Sequence, residues 1–213
     1  MRYTEEQYKS RFEEDESVGW DAIDEVLDKL YADQEPRHYG TIIKYMFGGE
    51  DPLDGISIYD NHEQIFHRHI VSYGMSELYY SPESAENEFS GWGFEFTFRI
   101  VPFEGDKDAD NAKHEPYWAM NVMQNLARYV FDSKKWFEAY HFIPANGPIR
   151  LDTDTKSLYI LESSGTFIYF LKRSVTTASP TILLSISWFF SIKVLAQESK
   201  LAIPFSSNIL GHR

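Results

Sequence analysis

The sequence predicts an α+β domain, a mostly antiparallel mixed sheet flanked by helices. Three observations carry this. Residues 94–100 (FEFTFRI) alternate apolar and polar positions with the period of a strand. Residues 19–31 and the segment after Pro116 repeat apolar residues at helical spacing. Strand signals come early, a long helix comes later, βαβ units are few and no internal repeat is visible. A chain of 213 residues fits one domain, with room for an appendage.

The elements follow in order. Thr4 is placed to cap a first helix, with Glu5 and Glu6 at the positive end of its dipole. That helix is polar nearly all round, which argues for weak stability. Trp20, Ile23, Val26, Leu27 and Leu30 form the apolar stripe of a second helix over 19–31, which should pack on the sheet. Pro36 precedes a strand expected over 39–47 (YGTIIKYMF). Gly48-Gly49 and Pro52-Leu53-Asp54-Gly55 are turn signals. GISIYD (55–60) is a second strand and residues 65–73 a third. Gly91 and Gly93 introduce the fourth, with Phe94, Phe96, Phe98 and Ile100 facing the core and Glu95, Thr97 and Arg99 on the other face. An acidic loop (101–114) leads to Pro116, which suits the first turn of a helix. Trp118, Val122, Leu126, Tyr129 and Val130 make the stripe of that helix, and SLYILE (157–162) is a further strand.

Charge divides the chain at Glu162. Residues 1–162 hold 15 basic and 32 acidic side chains, a net of −17, whereas 163–213 hold five and one, a net of +4. The boundary suggests a domain over 1–162 and a divergent C-terminal segment over 163–213, shifted in reading frame or poorly ordered. In that segment, ILLSISWFFSIKVLA (182–196) is 15 residues long and contains Lys193. A spanning helix needs about 20 apolar residues, so a transmembrane reading is rejected. The ordinary alternative is a buried strand pair or helix.

The formal charge of −13 disfavours nucleic-acid backbones and anionic membranes as partners and fits a basic protein partner. With no cysteine, disulfides, thiolate catalysis and Cys-ligated zinc are excluded. The charged start MRYTEEQYKSRFEEDES lacks a secretory h-region, so the expected location is the cytoplasm.

Catalytic fingerprints are missing from the sequence. His67-x-His69 would point two imidazoles to one face of a strand, with His62 and Glu63 nearby, but two histidines make an incomplete metal site. Polar residues on a solvated face are the preferred reading, and no metal is expected. Glu50, Asp51, Asp54 and Asp60 miss the EF-hand spacing and read as turn caps. No G-x-S-x-G, G-x-G-x-x-G or Walker pattern occurs, and no carboxylate pair stands out among 33 acids. The aromatic stripes read as core, and no cofactor is expected.

Five segments occur in one order: GWDAIDEVLDKLY (19–31), PRHYGTIIKYMFGGEDPLDGISIYD (36–60), HIVSYGMSELYY (69–80), SGWGFEFTFRI (90–100) and MQNLARYVFDS (123–133). Together they resemble the suppressor-of-fused family over roughly 145 residues. The resemblance implies a non-enzymatic protein-binding module. Animal members hold an extended peptide of a transcription factor against the sheet, adding a strand to it. On this resemblance the partner groove includes Tyr129 and Glu162. Tyr140, beside His141, stands where the family pattern has an acid, so the animal partner's motif does not transfer directly. Past Glu162 the usual acidic-Pro segment, strand and helix are not recognisable. Small free-standing members resemble bacterial proteins thought to be immunity proteins that neutralise a toxin, which implies a basic toxin or a strand-forming peptide as partner. The competing classes are a hydrolase with an unrecognised carboxylate/His site and a structural interaction protein.

Overall fold

The computed structural model describes residues 3–62, 66–102, 115–138, 141–145, 147–150, 157–163 and 181–188. Helix α1 (Glu5–Arg11) opens on a capping box: the Thr4 hydroxyl accepts from the Gln7 amide, and the Gln7 side chain accepts from the Thr4 amide. Although mostly polar, α1 is anchored by Tyr8, which is buried against Tyr80 and Phe12. Helix α2 (Val18–Leu30) follows, then β1 (Arg37–Gly40), β2 (Gly55–Asn61), β3 (His67–Tyr73), β4 (Phe94–Ile100), α3 (Tyr117–Ser133), β5 (Phe142–Pro144), β6 (Ser157–Ser163) and β7 (Thr181–Trp188).

The seven strands form one sheet in the order β1-β2-β3-β4-β7-β6-β5. Neighbours are antiparallel except β6 and β7, which run parallel. The mostly antiparallel mixed sheet of the sequence reading is therefore present. Its centre is closed by β7, where Phe94 faces Trp188 and Ser157 faces Thr181. Strand β7 lies beyond the charge boundary at Glu162. There residues 182–188 of the apolar run lie in a strand of the sheet. The rest of 164–213 lies outside the described residues.

Helices cover the two faces of β2 and β3. On one face α3 contributes Ala119, Met120, Met123, Leu126, Ala127 and Val130 to a core with Ile56, Ile58, Ile70, Phe94, Phe96 and Phe98. On the other, Ile23, Leu27 and Tyr31 from α2 and its end pack on Tyr59, Val71 and Tyr73. Helix α2 approaches closely at Gly19, where an added Cβ would stand 1.8 Å from the Glu77 carbonyl oxygen. The Gly19 amide uses that approach to bond Leu78 O at 3.0 Å.

Two-sided coverage corrects the reading of His67 and His69 as solvated. Every residue of β3 is buried, and the His69 Nδ1 lies 2.8 Å from the Tyr31 hydroxyl. Glu95 and Thr97 on β4, assigned to the face opposite the core, are buried too.

The strand expected over 39–47 is also corrected. Pairing stops at Gly40, opposite Gly55. The chain then turns on itself: Thr41 N donates to Asp54 O, and Phe47 N and Gly49 N both donate to Lys44 O. Residues Tyr45–Phe47 make a 3-10 turn ended by left-handed Gly48, φ 89°. Gly48-Gly49 and the interruption by Lys44 favour this local closure over a longer ladder.

Candidate functional site

Helix α3 presents Tyr129 at the surface. Its apolar stripe was expected to include this residue, but the buried positions are 119, 120, 123, 126, 127 and 130. Tyr129 is 48% exposed. Its ring stacks on Phe137 with centroids 5.4 Å apart and planes at 24°. Phe137 is buried in the α3-side core and tilts against Phe96 at 6.2 Å. The tyrosine thus stands on the core with part of its ring in water. The chain turns under it at Lys134, whose left-handed φ of 58° lets its amide bond Val130 O.

His141 lies just before β5 and is exposed. Its Nδ1 accepts from the Glu138 amide at 3.2 Å, and its carbonyl accepts from the Ile160 amide at 2.9 Å. That bond sets His141 against β6 two positions before Glu162. The Glu162 backbone faces Ile186 in β7; its side chain, and all of Tyr140, fall outside the described residues. The structure therefore joins His141 to the strand that carries Glu162 and puts Tyr129 on the helix that packs on Leu158 and Ile160.

Buried polar groups hold the frame. The Glu95 carboxylate accepts from the amides of Gly74, Met75 and Ser76 at 2.9–3.1 Å and from the hydroxyls of Ser76 and Ser72 at 2.7 and 2.5 Å. Burial raises this carboxyl, and the bonds from Ser72, Ser76 and Gly74 offset only part of that rise. Arg37 on the edge strand β1 spans two acids: it grips Asp60 with both terminal nitrogens at 2.9–3.0 Å and reaches Glu115 through Nε at 2.6 Å. Burial, with Arg99 and His67 adding to it, holds His69 well below the usual imidazole range. None of these groups was legible as structural from residue type alone.

A small cleft of about 70 Å³ opens between Tyr3, Tyr8, Gly19, Glu77, Ser81 and Phe89. Glu77 is its one carboxyl, raised by burial. General acid–base hydrolysis needs a second group within reach, and the lining supplies neither a second acid nor a histidine. Among the described residues no three His, Asp or Glu side chains stand together as metal ligands. No described helix is long and apolar enough to cross a membrane.

The class these features define is an α+β domain whose exposed chemistry is spread over surfaces. The family described as Suppressor of fused protein matches residues 49–202, and the chain belongs to that family. The match runs past Glu162 and includes β7. The mouse and human Suppressor of fused homologs are each 36% identical over 133 residues, covering 57% of this chain and 26% of theirs. The chain thus spans about a quarter of the length of these relatives. A chain of the Sufu–Fu complex crystal structure superposes with a TM-score of 0.61 at 25% identity, covering 85% of this chain and 79% of that one. Drosophila Suppressor of Fused superposes with a TM-score of 0.62 at 25% identity, covering 81% and 42%. The family is one of protein-interaction modules.

Proposed function

We propose that this chain is a non-enzymatic protein-binding module, and that the partner contacts Tyr129 on α3 together with the β5–β6 margin at Tyr140, His141 and Glu162. The observation that carries this is Tyr129 itself, half exposed yet locked by its stack on Phe137. A rigid aromatic loses little entropy on binding and so contributes affinity at low cost. The solved relative captured in a Sufu–Fu complex supports a protein as the partner. The described pairing of β5 on β6 ends at the bond from Ile160 to His141. Strand residues 161–163 continue beyond it, a position at which an extended peptide can add a strand.

The net of −17 over residues 1–162 favours a basic partner, and a cationic toxin is one protein of that chemistry. The test is binding of a purified partner to Glu162→Ala. The variant, its fold checked against the parent by circular dichroism, should bind about tenfold more weakly. Undiminished binding by a folded Glu162→Ala chain would remove Glu162 from the surface.

A further inference from the structure

The turn after β1 holds five apolar side chains out in water. Ile42 is fully exposed, Phe47 is 74%, Met46 64% and Ile43 58% exposed, and Tyr45 is more than a third exposed. Single exposed apolar residues need no explanation, but six positions in a row with five of them apolar do. The turn is also built to keep its shape. The amides of Phe47 and Gly49 close on Lys44 O, and Gly48 N closes on Tyr45 O. A Cβ at Gly49 would stand 2.0 Å from Ile43 O, so this closure requires glycine there. Lys44 is folded back over the Tyr79 ring, 4.3 Å from its centroid, with Asp54 3.8 Å away. Tyr45 meets Phe131 of α3 edge-on at 4.9 Å, and Asp51 pairs with Arg128 one turn earlier.

We infer that residues 42–47 form a preformed apolar prong that inserts into an apolar pocket of a partner protein rimmed with Lys or Arg. The convex shape calls for a concave counterpart, and its rigidity means that little ordering cost is left to be met on binding. Charge complementarity selects the occupant. Residues 41–54 carry Lys44 against Glu50, Asp51 and Asp54, a net of −2, and Lys44 is already engaged by Asp54. Glu50 is exposed beside the prong. A second copy of a chain with net charge −13 would be repelled, as would an anionic lipid surface. The prong is a separate surface from the Tyr129 site: Arg128 and Phe131 face it, whereas Tyr129 turns to Phe137.

The inference rests on the reading of the chain as a protein-binding module, and the experiment separates the two. p-Benzoylphenylalanine is placed at Phe47 in one variant and at Tyr129 in another, and the native cells are irradiated. The expected result is that Phe47 crosslinks a protein at a peptide with apolar residues next to Lys or Arg. That protein, purified, should bind Ile42→Asp and Phe47→Asp chains at least tenfold more weakly than the parent, with unchanged circular dichroism and melting. Silence at Phe47 with a crosslink at Tyr129 overturns the prong alone, and silence at both positions overturns both readings. A Phe47 crosslink to a second copy, to this chain's own residues or to a peptide without basic residues overturns the prong. So does parental binding by both Asp variants, or flotation of the parent with lipid vesicles that Phe47→Asp abolishes.

Discussion

Removing the Glu95 side chain should cost more than truncating any other acid among the described residues. In Glu95→Ala the five donors that converge on the carboxylate lose their acceptor. The two serine hydroxyls can rotate to other acceptors, but the three amides of Gly74, Met75 and Ser76 are fixed by the backbone. Each stranded buried donor costs about 1–3 kcal/mol, and water entering the vacated space recovers part of it. We expect a net loss of about 4 kcal/mol, a large share of the 5–15 kcal/mol typical of a domain. Glu95→Gln is the control. Its carbonyl can keep the four bonds made to Oε1, including those from all three amides. Its NH2 replaces Oε2 opposite Ser72, whose hydroxyl already accepts from Phe96 N at 2.9 Å and can accept a second bond. That variant should lose roughly 1 kcal/mol. Urea unfolding followed by tryptophan fluorescence and far-ultraviolet circular dichroism reads both values. A loss below about 1.5 kcal/mol for Ala, or equal losses for Ala and Gln, would refute donor satisfaction as the reason this segment is held.

Three further outcomes follow from the same structure. His69 is held neutral when folded but takes a proton near pH 6.5 when unfolded, so below that pH the unfolded chain binds more protons and stability falls. His69→Asn should therefore flatten the loss of stability between about pH 6.5 and 5 by up to about 1.4 kcal/mol per pH unit, and identical slopes in the two proteins would contradict it. Association with a basic partner should slow severalfold between low and physiological salt, and an on-rate flat across that range would remove electrostatic steering. A chain ending at Glu162 lacks β7 between β4 and β6 and should unfold without cooperativity, whereas a transition as sharp as the parent's would make 1–162 a self-sufficient domain.

Legibility in the sequence followed how local the cause was. The Thr4 cap, the alternation of β4 and most of the α2 stripe are set by spacing within one element and could be read directly; Leu30, expected in that stripe, is 43% exposed at the helix end. His67, His69 and Glu95 could not, because their burial comes from α2 and the Gly74–Ser76 segment crossing a face that β-strand periodicity alone leaves open. Residues 39–47 look like a strand by composition, and the turn that replaces it is closed by a pair of glycines whose effect depends on Asp54 across the chain. Tyr129 has apolar periodicity but stands one position off the buried row. The resemblance supplied the family, and with it Tyr129 and Glu162 as candidates; nothing in the residue pattern pointed to Phe137 beneath the tyrosine.

The position of β7 has a consequence for synthesis. Thr97 pairs with Ser185, almost ninety positions later. At about 5–20 residues per second a ribosome needs on the order of ten seconds to make the intervening chain. Through that interval β4 is an unpaired edge carrying Phe94, Phe96 and Phe98, the kind of edge on which strands of other nascent chains add. Native pairing at this edge awaits its most distant partner, so the half-made sheet, more than the finished one, is where this chain needs a chaperone. Ribosome-bound chains halted before residue 181 should be protease-sensitive at 94–100 and become protected once 188 has cleared the exit tunnel.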